Sequence, residues 1–125
     1  MNIVIKTIPH KEHRYETCGD WFYHADGTLE IRVSKMSDWR YEFLVALHEL
    51  VECFLCEHDG VTQATVDKFD KAFEKRRKPL NFDEPGDSPL APYRKQHCLA
   101  TGIERIAAAC LGVCWSKYEK EIESL

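Results

Sequence analysis

One stretch limits what this chain can fold into: residues 42–58, EFLVALHELVECFLCEH. Its apolar residues recur at a helical period, and His48, Glu49 and Glu52 stand in its middle. At about 100° per residue, with His48 at zero, Glu52 falls at about 40° and Glu49 at about 100°. Phe43, Leu44, Leu47, Leu50, Val51, Phe54 and Leu55 share an arc of about 200° to 340°. A helix with so broad an apolar arc needs other elements to cover it. The arc is expected in the core, with the polar trio along its border.

His48-Glu49-Leu50-Val51-Glu52 is HExxE. In the better-known HExxH, two imidazoles one helical turn apart grip zinc and the intervening glutamate acts as general base. Here a carboxylate replaces the second imidazole, and it is also a competent zinc ligand. His48 and Glu52 are therefore expected to hold a metal ion, with Glu49 as the general base. A third ligand must come from elsewhere. His97 is the first candidate, because it lies on a separate predicted helix (residues 93–111) whose Ala100, Ala107 and Ala108 admit a close neighbour. Glu104 lies two turns further along on the same side. It is expected either as a fourth ligand or as an acceptor for a ligating imidazole N–H. Leu99, Ile103, Ile106 and Cys110 gather about 180° to 240° from His97, and that is the expected core side. Zinc is the first choice of metal, and two imidazoles with a carboxylate also suit manganese or iron.

Around this centre the chain reads as α+β. Residues 2–8 (NIVIKTI) are short, β-branched and alternating, and Pro9 ends them. Residues 20–24 and 29–33 read as two further strands, with Asp26-Gly27 signalling a hairpin between them. Leu29, Ile31 and Val33 point one way to a buried face, and Glu30 and Arg32 point the other way to a wet one. The expectation is a small antiparallel three-stranded sheet in residues 1–35, packed on three to four helices in residues 36–125. The helices are predicted over 39–58, 63–77, 93–111 and 113–125. Ser37 or Asp38 caps the first and Asp59-Gly60 stops it; Thr62 or Thr65 caps the second. Loop 79–92, PLNFDEPGDSPLAP, holds four of the five prolines and is long for a connection in a compact domain. It reads equally as a functional loop or a surface crossover. Trp21, Tyr23, Trp39 and Trp115 are expected in the core.

A length of 125 residues suits one domain with a real core. The net charge of -4 gives no basic footprint for nucleic acid. No apolar run is long enough for a membrane span. The charged residues 10–14 stand where a secretion signal needs an apolar core, so a cytoplasmic protein is expected. Of six cysteines, Cys53 and Cys56, and Cys110 and Cys114, form close pairs. Both pairs fall within predicted helices, so free thiols are expected over a four-cysteine zinc site.

Four pieces of sequence carry a resemblance: ALHELVE, the EPGD of residues 84–87, APY at residues 91–93, and His97 with Glu104 after them. Over most of residues 20–120 the chain resembles a family of small uncharacterised phage and prophage proteins. A short sheet followed by an HExxE helix also resembles a reduced zincin metallopeptidase fold. The first resemblance implies a phage or bacterial origin and a metal site. The second carries over His48 as ligand and Glu49 as general base, and implies a peptide or protein substrate. Glu52 departs from the zincin pattern.

Two rival readings use other features. Glu49-x-x-Glu52 followed by Asp67-x-x-Asp70 imitates the magnesium-binding acids of MazG-like nucleotide pyrophosphohydrolases. A non-enzymatic phage protein that binds a host partner and keeps a structural metal is the other.

Overall fold

The computed structural model describes residues 1–125. Strands β1 (Ile3–Ile8), β2 (Gly19–Tyr23) and β3 (Leu29–Ser34) form one sheet in the order β1-β3-β2. β2 and β3 are the expected hairpin, antiparallel with Trp21 opposite Ile31. It turns at Gly27, whose φ of 89° glycine adopts without steric cost. The sheet is not wholly antiparallel as expected, because β1 runs parallel to β3, with Ile5 opposite Ile31. Residues 9–18 carry the chain past the end of β3, so that β3 inserts between the two earlier strands. His10 Nδ1 and His13 Nε2 tie this strap to Ser34 Oγ, at 2.8 and 2.9 Å. Alternation identifies strands but not their partners, and the crossover that a parallel pair needs has no pattern of its own here.

Four helices follow: α1 (Trp39–Asp59), α2 (Gln63–Lys75), α3 (Arg94–Cys110) and α4 (Trp115–Glu123). The fold is α+β. Asp38 caps α1 by accepting from the Arg40 N–H, and Gly60 closes it at a φ of 74°. Thr62 caps α2. No helix is long and apolar enough to cross a membrane. α1 packs on β2, β3 and α3. α3 runs antiparallel to it, with Arg40 Nη1 donating to the Leu111 carbonyl at 3.1 Å and Gln96 Nε2 donating to Asp59 at 2.7 Å. Leu29, Ile31 and Val33 meet Leu44, Val45, Cys53 and Cys56 in the core. Burying an aliphatic side chain of this size stabilises by about 1.5–3 kcal/mol.

The two long helices face differently from the expectation. The buried residues of α1 are Leu44, Val45, His48, Glu52, Cys53 and Cys56, an arc of about −40° to 140°. His48 and Glu52 therefore lie inside the buried face and not at its border, while Phe43 and Phe54 are exposed. On α3, His97, Ala100, Glu104 and Ala108 turn inward. Leu99, Ile103, Ile106 and Cys110, expected in the core, are exposed, and so is Trp39. The cause is steric. α3 approaches α1 closely only along its alanines, and those share a side with His97 and Glu104. The polar groups so buried satisfy one another, which removes most of the cost of taking them out of water. Glu30, expected on a wet face, is also buried, beneath Arg32, His24 and Lys6.

Candidate metal centre

α1 and α3 bring three of the expected residues to one point. His48 Nε2 lies 3.1 Å from Glu52 Oε2, His97 Nδ1 lies 3.0 Å from the same oxygen, and the two nitrogens are 3.2 Å apart. All three side chains are buried. A tetrahedral zinc ion with bonds of about 2.0–2.1 Å spaces its ligand atoms about 3.3 Å apart. The triangle has that size, so these residues fit such an ion.

Each corner has a second partner. His48 donates Nδ1–H to Glu104 Oε1 at 2.8 Å, so that Nε2, once it gives up its proton, would turn a lone pair into the triangle. Glu104 Oε2 in turn accepts from the Tyr118 hydroxyl at 2.6 Å. Of the two roles left open for Glu104, its geometry suits the acceptor and not the ligand. Trp21 Nε1 donates to Glu52 Oε1 at 3.2 Å, leaving Oε2 free for the triangle. His97 Nε2 lies 2.9 Å from Glu84 and 3.3 Å from Asp87. It is buried and in hydrogen-bond geometry with neither. An imidazole held on an ion through Nδ1 would turn its Nε2–H to this carboxylate pair.

Glu84 and Asp87 come from the long loop, which thus packs against the triangle. Its single turn of 3-10 helix, Pro85–Asp87, presses on His97 so closely that a Cβ at Gly86 would stand 2.3 Å from the ring. Arg77 anchors the loop through the carbonyls of Asn81 and Asp83, at 2.6 and 2.7 Å, while forked to Glu74.

The electrostatics fit a cation. Burial raises the pKa of Glu52, but the imidazoles of His48 and His97 outweigh it and hold the carboxyl down at about 2. Burial lowers His97, yet Glu52 and Glu84 carry it up to about 10. His48 goes well above its usual 6.5 against burial, through Glu104 and Glu52. Without an ion, protons supply the positive charge that these carboxylates require; a divalent cation displaces them.

Glu49 lies beside the triangle. Burial, then the charge of Glu52, holds its carboxyl well above the usual range. Gly19 makes room for it, since a Cβ there would stand 2.7 Å from Glu49 Oε1. Glu49 and the triangle line a cleft of about 980 Å³ between the loop, the strap and all four helices. Carboxylates in its lining far outnumber Arg77, Lys78 and Arg105.

The acids of the magnesium reading line the same cleft, but Asp67 and Asp70 are engaged by other side chains. Asp67 is held by Arg14 at 3.0 and 3.1 Å, and Asp70 accepts from the hydroxyls of Tyr15 and Tyr93. The six cysteines are free; Cys53 and Cys56 are buried, Cys110 and Cys114 exposed. Trp21, Glu84, Tyr118, Gly19 and Gly86 carry no recognisable signal for their roles, apart from the EPGD that contains two of them. No protein-family model matches the chain, and no curated protein or solved structure matches it at a significant level. The functional reading therefore rests on the geometry of the cleft.

Proposed function

We propose that this chain is a metal-dependent hydrolase of peptide-like amides. His48, Glu52 and His97 hold a divalent cation, zinc before manganese or iron, and Glu49 is the general base. The observation that carries the reading is the triangle of His48 Nε2, Glu52 Oε2 and His97 Nδ1, with edges of 3.0–3.2 Å. A bound cation of this class acidifies water and polarises a carbonyl. Glu49 accepts the proton from the attacking water and returns it to the leaving nitrogen. Burial beside Glu52 raises its affinity for a proton, and a cation bound at the triangle would favour the ionised form that accepts one. Glu104 and Trp21 fix the orientation of His48 and Glu52, and the loop shields His97 from water. The acidic lining favours neutral or basic peptides and repels phosphates, which weighs against the nucleotide reading.

Glu49→Gln tests it. The zinc-loaded variant is expected to keep its metal and lose at least about 100-fold in hydrolysis of a mixed peptide library. Hydrolysis by Glu49→Gln at the wild-type rate, or none by fully loaded wild type, overturns the reading.

A further inference from the structure

We infer that His97 bridges two ions, and that a second divalent cation binds on the outer side of its ring, to Nε2, Glu84 and Asp87. Nε2 lies 2.9 Å from Glu84 Oε2 and 3.3 Å from Asp87 Oδ1. One ligand atom from each of the three residues lies within 4.8 Å of the others. A tetrahedral zinc ion spaces its ligand atoms about 3.3 Å apart, and a nitrogen with two carboxylates suits zinc or manganese. The inner ion of the pair rests on the function proposed above; the outer site does not.

The direction of approach separates this arrangement from a plain ion pair. A hydrogen-bond acceptor stands in line with the N–H that reaches it. Neither carboxylate oxygen does so here: Nε2 is buried and has no partner in hydrogen-bond geometry, although both oxygens are close. His97 is 5% exposed, so bulk water does not reach the nitrogen. A metal ion takes the axis of a ring nitrogen for itself and holds its other donors to the side. Close oxygens off that axis are what an ion requires and a proton does not use.

Charge points the same way. Nearby acids are matched by guanidinium groups: Asp20 and Asp67 by Arg14, and Glu74 by Arg77. The carboxylates of Glu84 and Asp87 have no lysine or arginine partner, and both meet only the His97 ring. One ion on Nδ1 leaves a single N–H for two carboxylates. A second ion replaces that proton, which passes to solvent, and the ring becomes a bridging imidazolate. Two divalent cations then face Glu52, Glu84, Asp87 and the imidazolate, and the charges cancel.

The turn is built for the contact. The Asp87 N–H donates to the Glu84 carbonyl at 3.1 Å, closing the 3-10 turn that sets the two side chains on one side. Gly86 between them admits the ring. Glu84 and Asp87 are half-exposed and also border a hollow of about 360 Å³ with Asp83 and Ser88, which gives an ion its own approach from solvent. With bonds of about 2.0–2.1 Å on either side of the ring, the ions stand about 6 Å apart. That is too far to clamp one water, as ions about 3.5–4 Å apart do. The outer ion therefore takes no part in attack on substrate; it fastens the turn, and loop 79–92 with it, to α3.

Zinc uptake by the metal-stripped full chain, counted by equilibrium dialysis against excess zinc, tests the bridge. Wild type should take up about two equivalents, the outer one more weakly because two of its donors are half-exposed. The double variant Glu84→Gln/Asp87→Asn should take up about one, and so should His48→Ala, each with unchanged far-UV circular dichroism. The three substitutions combined should take up none. Two equivalents in wild type that the loop variant also binds mark an adventitious ion only, and overturn the inference. So does a single equivalent that His48→Ala loses and the loop variant keeps, a result that leaves the proposed function standing. A single equivalent that the loop variant loses and His48→Ala keeps supports the outer site and overturns the inner one. No uptake by wild type overturns both.

Discussion

Glu104 decides which nitrogen of His48 faces the triangle. With its carboxylate accepting from Nδ1–H, the Nε2 lone pair is fixed inward; without it, both tautomers and several ring orientations compete. Glu104→Gln is therefore expected to weaken zinc affinity by about 10–100-fold, read by competition with a chromophoric chelator. Unchanged affinity would mean that Glu104 does not orient the ligand. Asp70, away from the triangle, gives a pH signature. Burial raises its pKa to about 7; the hydrogen bond from Tyr93 opposes this, and the charge of Glu52 adds to it. A carboxyl raised on folding contributes stability that is full below its unfolded pKa, near 4, and is lost as pH rises through 7. The urea midpoint should thus fall between pH 5 and pH 8, and Asp70→Asn should flatten that dependence. An equal slope in wild type and variant would remove Asp70 as its source.

At the scale of elements, the turn Pro85–Asp87 bears on the site as much as either helix does. Gly86→Ala puts a methyl where the His97 ring lies, so either the turn or the ring must move. The expected result is a loss of about 1–3 kcal/mol in stability, as for other overpacked sites, together with weaker metal binding. Thermal melts with and without zinc check it, and a variant matching wild type in both would contradict the contact. The limits of α1 were legible in the sequence because they are local: Asp38 and Gly60 act on their own helix ends. So was the nearness of His48 to Glu52, one helical turn apart, and the approach of His97 to both. The pairing of β1 was not, because nothing in residues 9–18 records which side of β3 they lead to. Nor was the facing of α1 and α3, because an apolar arc shows that a face needs cover, not which face the small alanines draw inward. Trp21, Glu84 and Tyr118 reach the site only through tertiary approach, so no spacing reveals them.

The whole molecule has two unlike sides. One is the acidic cleft over the triangle, enclosed by strap, loop and helices; the other is the back of α1 and α3, where Phe43, Phe54, Leu99, Ile103 and Ile106 are exposed. Burying four ionisable groups, His48, Glu52, His97 and Glu104, between the two longest helices costs stability unless something compensates their charges. A cation bound at the proposed centre would complete that compensation, and the cleft would give it access. The proposed function requires that the protein carry that cation. Metal analysis of purified wild type beside His48→Ala measures it directly. The expected result is about one equivalent of zinc, manganese or iron per chain in wild type, lost in the variant. Metal-free wild type that takes up no ion on reconstitution, or a His48→Ala protein with undiminished metal, would contradict it.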